Sequence, residues 1–447
     1  MEKKYYIQTF GCQMNVNDSE QIAALLASAG YEATGQAQKA DVIILNTCSI
    51  REKAAQKVYS RLGRFKDYKL SNPDIIIAVG GCLAQQWGEK FFKKAPCLDI
   101  VFGTHNIQNV PELIKRVQKY SRHITDTAFG VEGRFGGRLS RTVTGRSSAY
   151  VSIMQGCNNF CAYCVVPYLR GPEESREFAD IVREVENLAA QGVKEVILLG
   201  QNVNSYGQTL RIKADFASLL RTIAAVGGIE RIRFTTSHPK DISPELIRCF
   251  EEVDILCEHI HLPVQSGSDK VLRDMNRRYT KADYLQKVAA LRAACPDISI
   301  TSDVIVGFPG ETDADFAETI DLLDKIRFDN LFSFKYSERE GTAAAKFDNK
   351  VSERVKSARL KSLQLLQEQH TLAKNRSMLG KILDVLVEKR SKGSAGEVMG
   401  RTRTNKIVNF AGGSELVGKT LPVFITHAYQ HSLHGELLQE REIERCS

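Results

Sequence analysis

The sequence reads as an α/β chain in three parts: an N-terminal parallel α/β sheet domain, a central partial barrel of six β/α units, and a small all-β barrel at the C-terminal end. Three observations predict this. Strand-like and amphipathic helix-like runs alternate through most of the chain, the pattern of parallel sheets. One stretch rich in Gly, Arg, Ser and Thr interrupts the alternation. The last segment holds only short strand candidates between turn-forming Gly, Ser and Asn.

In the first part, expected over residues 1–120, the spacing predicts strand 4–10, helix 19–29, strand 42–46, helix 51–69 and strand 75–80. Residues 121–148, which include Gly133-Arg134-Phe135-Gly136-Gly137-Arg138, lack apolar periodicity and read as a linker. The central part, 149–375, carries strand-like runs at 150–154, 193–199, 231–235, 259–262, 299–306 and 331–334, with helix-length stretches between them, as in an open barrel of parallel strands. A long helix predicted at 351–373 leads into the final part, 376–441. Its strand candidates at 382–387, 398–400, 407–410 and 421–426 suggest a barrel of the size that binds oligonucleotides.

With 447 residues, 43% hydrophobic and 26% charged, the chain can bury two or three cores, which excludes a disordered or fibrous protein. No run of 18 apolar residues occurs, and Met1-Glu2-Lys3-Lys4-Tyr5-Tyr6-Ile7 does not open a secretory signal, so a cytoplasmic protein without membrane association is expected. Eleven cysteines, an odd count in a long chain, favour thiolate ligands over a disulfide framework. The net charge of +8 suits a polyanionic partner.

Spacing decides what the cysteines do. Cys157-Asn158-Asn159-Phe160-Cys161-Ala162-Tyr163-Cys164 follows the first barrel strand, so one loop presents three thiols. A [4Fe–4S] cube held by three cysteines keeps one iron open to a non-protein ligand. A structural zinc site, the alternative, wants a fourth Cys or His close by. Cys12, Cys48 and Cys82 each follow a predicted strand of the first domain, which brings them to the same C-terminal sheet edge and suggests a second open cluster in place of three packing thiols. Cys97, Cys249, Cys257, Cys295 and Cys446 have no comparable spacing and read as packing or exposed thiols.

The Cys-x3-Cys-x2-Cys triad, with Tyr163 before its last cysteine, resembles the radical S-adenosylmethionine superfamily. In that family the open iron binds the amino and carboxylate groups of S-adenosylmethionine, and the reduced cluster releases a 5′-deoxyadenosyl radical. Two three-cysteine sets, an α/β N-terminal domain, a partial barrel and a small β-barrel are together similar to the methylthiotransferases over essentially the whole chain. The final barrel then corresponds to the RNA-binding TRAM domain. Phe10-Gly11-Cys12-Gln13-Met14-Asn15, Asn46-Thr47-Cys48-Ser49-Ile50-Arg51-Glu52-Lys53-Ala54, Phe234-Thr235-Thr236-Ser237-His238-Pro239 and Leu262-Pro263-Val264-Gln265-Ser266-Gly267-Ser268 resemble the branch acting on dimethylallyl-adenosine in tRNA. The other branches act on threonylcarbamoyl-adenosine in tRNA or on a ribosomal-protein aspartate. One departure is Arg170-Gly171-Pro172, where proline replaces the usual polar residue at a place that a helix start tolerates.

The resemblance implies a transferase with S-adenosylmethionine and two [4Fe–4S] clusters, Cys157, Cys161 and Cys164 holding the radical-generating one and Cys12, Cys48 and Cys82 the sulfur-supplying one. Two molecules of S-adenosylmethionine are consumed, one as methyl donor and one as radical source, to place a methylthio group on the adenosine at position 37 of the tRNA anticodon loop. Tyr163, Gly200, Gln201, Ser237, Gln265 and Val306, the last within Val304-Ile305-Val306-Gly307-Phe308-Pro309-Gly310-Glu311, are the implied cofactor contacts. An anticodon stem-loop, an external electron donor such as flavodoxin or ferredoxin, and a monomeric state are implied as well. For RNA, the candidates are Arg51, Lys53, Lys57, Arg61, Arg64, Lys66 and Lys69 on one helix and Arg401, Arg403 and Lys406 in the final barrel, against the plainer reading of a solvated face.

Overall fold

The computed structural model describes residues 2–49, 52–120, 123–130, 135, 145–391, 393–394 and 396–438. They form two compact units. The first gathers the described parts of residues 1–142 with Gln155–Cys157 and Val165–Arg176, and the second holds Val143–Met154, Asn158–Cys164 and the chain from Glu177 onward. The central part is therefore not contiguous in packing, because two of its short segments fold with the first unit.

The first unit is built on a six-stranded parallel sheet in the order Tyr31–Ala33, Lys3–Phe10, Val42–Thr47, Ile76–Gly81, Ile100–Phe102 and Ile124–Asp126. Val42–Thr47 and Ile76–Gly81 are buried throughout, as strands covered on both faces must be. Alternate residues serve opposite layers: Ile43, Leu45, Ile77 and Val79 meet Val58, Leu62 and Phe65, while Val42, Ile44 and Ile76 meet Ile22, Leu26 and Leu113.

Three strands of three residues each escaped the sequence reading because they are too short to show a period. One of them, Ile124–Asp126, lies inside the stretch read as linker and corrects that reading: it is an edge strand whose Asp126 accepts from Asn106 at 2.7 Å and Asn109 at 2.8 Å. Apart from Phe135, the glycine- and arginine-rich run at 133–138 lies outside the described residues. The first helix, Gln13–Ser28, begins six residues before the expected start at 19, because its first turns bury Asn15, Asn17 and Asp18, which an apolar period cannot detect.

In the second unit all six predicted barrel strands are present, as Ser148–Ser152, Glu195–Leu199, Arg231–Phe234, His259–His261, Ser299–Val306 and Asn330–Lys335. Pairing is parallel throughout, yet the hydrogen bonds divide into two three-stranded sheets with one bridge, Ile232 to Leu256, at the seam. Helix Glu353–Arg376 then leads to a closed barrel in the order Ile382–Arg390, Glu397–Thr402, Ile407–Ala411, Leu433–Leu437 and Thr420–Ala428, filled by Val385, Val398, Phe410 and Val423. The strand at Leu433–Leu437 had no separate sequence signal. No helix among the described residues is long and apolar enough to cross a membrane.

The strand Arg231–Phe234 turns Ile232 and Phe234 to the core and two buried arginines the other way. Arg231 donates to the Arg401 carbonyl at 2.7 Å and the Asp384 carbonyl at 3.0 Å. Arg233 pairs with Glu195 at 2.7 Å and donates to the carbonyls of Thr402 and Arg403. From the final barrel, Arg403 grips Glu258 through two nitrogens, Lys406 pairs with Asp329 at 3.1 Å and Arg401 with Glu388 at 3.0 Å. The reading of Arg401, Arg403 and Lys406 as RNA ligands is therefore corrected: their charges fasten the small barrel to the partial one and to itself.

Arg403→Ala is expected to cost about 1.5–3 kcal/mol, the worth of hydrogen bonds to a charged group, seen as a lower urea midpoint for the second unit. The salt dependence of RNA binding should be unchanged. A logarithmic slope reduced by about 0.7 would restore Arg403 as a phosphate contact.

Candidate functional site

The three N-terminal cysteines emerge from neighbouring strands. Phe10 pairs in register with Thr47, and Thr47 with Gly81, so the residues that follow share one sheet edge. Cys12 caps the helix Gln13–Ser28 and engages Asn15, whose side chain donates to Asn46 at 3.2 Å; Asn46 in turn donates to Ser19 at 3.0 Å. Gly81, at φ +91°, turns the chain into the short helix Cys82–Trp87, and a side chain there would strike the Thr47 carbonyl. Cys48 and Cys82 are buried and Cys12 half-buried.

A charged pair closes this set. The Arg170 guanidinium bonds Asp18 at 2.9 Å, both side chains being about 5% exposed. A hydrogen bond with Cys48 holds the Cys12 thiol down to about 6, with Arg170 assisting and burial opposing. Burial pushes the Cys82 thiol up against the pull of Arg170. Arg170 would be pulled down by burial alone, but Cys82, Asp18 and Cys12 together raise it.

The second set begins at Gly156, whose φ of +80° and close approach to the Pro172 carbonyl leave no room for a side chain. Cys157 donates its N–H to the Gly171 carbonyl at 3.2 Å within the first unit. Cys161 and Cys164 belong to the second unit, where the loop is pinned by Ala162 N–H to Met275 O at 3.0 Å and by Asn276 to the carbonyls of Asn159 and Phe160. Arg277 is buried there. It donates to Cys161 Sγ at 3.4 Å, to the Pro263 carbonyl at 2.7 Å and to Tyr279 OH at 2.9 Å.

At the carboxyl ends of the adjoining strands the backbone is strained. Thr236 and Gln265 hold φ of +71°, a region such residues rarely enter. Beside them the buried Ser237 Oγ, His238 Nε2 and Gln265 Oε1 have no hydrogen-bond partner among the described residues. Burial holds His238 neutral, and its Nδ1 accepts from the Lys240 N–H, which leaves the ring proton on the orphaned Nε2. Buried polar atoms without partners on strained strand ends mark a place for a polar ligand.

Of the sequence-predicted contacts, Ser237 and Gln265 lie at this place and Gly200 ends the next strand, tight against Met154. Gln201 follows Gly200 and is half-buried. Tyr163 is half-buried with its hydroxyl 3.5 Å from Arg277, and Val306 is 1% exposed within the apolar core. Asp18, Arg277 and Tyr279 carry no sequence signal of their own, and Arg170 stands out only through the Arg-Gly-Pro departure, because each lies outside its cysteine motif. On the basic helix Lys57, Arg64 and Lys66 are exposed, whereas Lys69 is tied to Asp99 and the Ile75 carbonyl. Arg51 and the Lys53 side chain lie outside the described residues.

Residues 4–103 match the Uncharacterized protein family UPF0004, residues 151–323 the Radical SAM superfamily and residues 376–438 the TRAM domain. Among solved structures the fold is similar to TsrM, a radical S-adenosylmethionine methyltransferase from Kitasatospora setae, with a TM-score of 0.57 at 13% identity over 77% of this chain and 74% of that one. It is also similar to OxsB, a cobalamin-dependent radical enzyme, with a TM-score of 0.54 at 13% identity over 82% of this chain and 56% of that one. These matches define a radical S-adenosylmethionine enzyme with an appended TRAM domain. The chain is 59% identical over 99% of its length to the tRNA-2-methylthio-N(6)-dimethylallyladenosine synthase of Syntrophus aciditrophicus, covering 96% of that protein. To the synthase of the same name from Geobacter sulfurreducens it is 53% identical over 98% of its length, covering 99% of that protein. It belongs to the tRNA-2-methylthio-N(6)-dimethylallyladenosine synthase family.

Cys249, Cys257 and Cys295 are buried, and burial pushes the Cys257 and Cys295 thiols up to about 11. At pH 8 about one part in a thousand of either is then thiolate, the reactive form. Alkylation of the native protein with iodoacetamide, followed by peptide mass spectrometry, is expected to leave Cys257 and Cys295 unlabelled until denaturant is added.

Proposed function

We propose that the protein is a transferase that replaces the C2 hydrogen of N6-dimethylallyladenosine in the tRNA anticodon loop with a methylthio group. S-adenosylmethionine serves as methyl donor in one role and as radical source in the other. The observation that carries this reading is identity of 59% across 99% of the chain to an enzyme of that name.

The donor sets suit the cofactors. Each set offers three thiols, soft ligands that favour iron–sulfur clusters. Among the described residues, no three His, Cys, Asp or Glu side chains converge as ligands of a single ion would. Cys157, Cys161 and Cys164 would hold one [4Fe–4S] cluster and Cys12, Cys48 and Cys82 a second, sulfur-supplying one. When bound, the first supplies the electron that cleaves S-adenosylmethionine to a 5′-deoxyadenosyl radical.

The chain's own residues bind and orient. Arg277 fixes the Cys161 loop through its bonds to sulfur, phenol and carbonyl. The Ser237 hydroxyl, the His238 Nε2–H and the Gln265 side-chain carbonyl are the groups that would meet the polar parts of S-adenosylmethionine. The TRAM barrel, residues 376–438, and the exposed Lys57, Arg64 and Lys66 side chains are assigned to the tRNA. An external electron donor such as flavodoxin or ferredoxin, a cytoplasmic location and a monomeric state complete the reading.

The test is mass spectrometry of tRNA nucleosides after anaerobic incubation of the reconstituted protein with S-adenosylmethionine, reductant and dimethylallyl-adenosine tRNA. A mass gain of one methylthio group is expected, lost in Cys12→Ala and Cys157→Ala. Formation of 5′-deoxyadenosine with unmodified tRNA would retain the radical chemistry and overturn the substrate.

A further inference from the structure

The reading of the site leaves Arg170 without a role. It ends the short helix Val166–Arg170, whose Val165 and Leu169 pack on Cys82 and whose Leu169 carbonyl accepts from Thr104 Oγ1 at 2.9 Å. The segment that carries the last cysteine of one set thus continues, six residues on, into an arginine seated beside the other set. The side chain is 4% exposed, and among the described residues its ion pair to Asp18 occupies only part of a guanidinium that has five N–H donors. Asp18 lies on the helix that Cys12 caps.

A purely structural tie between two short elements would explain the pair. It would not explain its place, since a buried ion pair contributes no more to stability than well-packed apolar side chains of the same volume. What the place offers is charge. Thiolates are costly to bury unless a cation or hydrogen-bond donors stand beside them, and the Arg170 charge acts on Cys82, against which its helix packs, and on Cys12. Arg277 has the corresponding place beside Cys161, but its partners are Tyr163, Tyr279 and the Pro263 carbonyl, with no carboxylate among the described residues. Among the described residues, Arg170 alone of these two arginines has a counter-charge that orients it.

We propose that Arg170 is the positioning residue of the N-terminal cysteine set: oriented by Asp18, its guanidinium donates to the sulfur ligands of the iron–sulfur cluster held by Cys12, Cys48 and Cys82 and offsets part of that cluster's negative charge. The inference rests on the reading of those three cysteines as cluster ligands. Hydrogen bonds to the sulfurs and net local charge are the levers by which a protein sets a cluster's potential. Removing the cation disfavours the added electron, and removing the carboxylate favours it.

The experiment uses the full-length chain with Cys157, Cys161 and Cys164 changed to Ala, so that only the N-terminal set can take iron. After anaerobic reconstitution, iron per protein and the midpoint potential are measured by metal analysis and by an EPR-monitored redox titration. Arg170→Gln is expected to make reduction about tenfold harder, 59 mV for one electron, and Asp18→Asn to move the potential the opposite way. Arg170→Lys, a cation without the planar fork, should fall between the parent and Arg170→Gln. Opposite signs for the two removals support the proposal, because a merely structural pair moves both variants together or neither. Equal potentials, or shifts of one sign at full iron content, overturn it. Should Arg170→Gln not fold, Asp18→Asn decides alone: a positive shift supports the proposal and an unchanged potential overturns it. A parent that takes up no iron overturns the cluster reading of Cys12, Cys48 and Cys82, and the inference with it.

Discussion

Parallel strand pairing is the constraint on which the rest of the protein depends. When strands run the same way, each chain leaves its sheet at the same edge, so residues distant in sequence become neighbours simply by following a strand. Cys12, Cys48 and Cys82 come together in this way from strands that pair in register at Phe10, Thr47 and Gly81. In the second unit the same rule gathers Gly200, Ser237 and Gln265 at strand ends. Helices covering both faces of the first sheet keep the edge as the place where polar groups collect.

Around that framework, buried arginines do most of the electrostatic positioning. Arg231 and Arg233 use their forked donors on carbonyls of the final barrel, which need no counter-charge, and Arg233 adds Glu195. Arg277 braces a cysteine loop through a sulfur, two phenols and a carbonyl. Arg170 sits beside Cys82 and Cys12 and pairs with the Asp18 carboxylate. The planar guanidinium, always charged and rich in donors, can satisfy several acceptors at one buried point where lysine could not.

The orphaned atoms of Ser237, His238 and Gln265 are the counterpart to these satisfied groups. At a neighbouring strand end Asn202 is satisfied, donating to Asp241 and accepting from the His238 N–H. Left-handed backbone at Thr236 and Gln265 costs free energy. Strain and unmet polarity coincide where a ligand rich in polar groups would relieve the unmet polarity.

The sequence by itself determined the fold class, the six barrel strands and both cysteine sets, because these are written in local signals: period, turn residues and spacing. The Cys157 triad is legible within eight residues, and Cys12, Cys48 and Cys82 each directly follow a recognisable strand. Tertiary structure alone decided which charges are free. Arg401, Arg403 and Lys406 look like an RNA-binding stripe until their side chains are seen paired with Glu388, Glu258 and Asp329. It alone showed that Ile124–Asp126 completes a sheet, and that Arg170 and Asp18, 152 residues apart, meet beside Cys12 and Cys82. Local sequence specifies which residues can form a strand or present a thiol. Which acceptor a long cationic side chain finds depends on the packing of segments that no local pattern links.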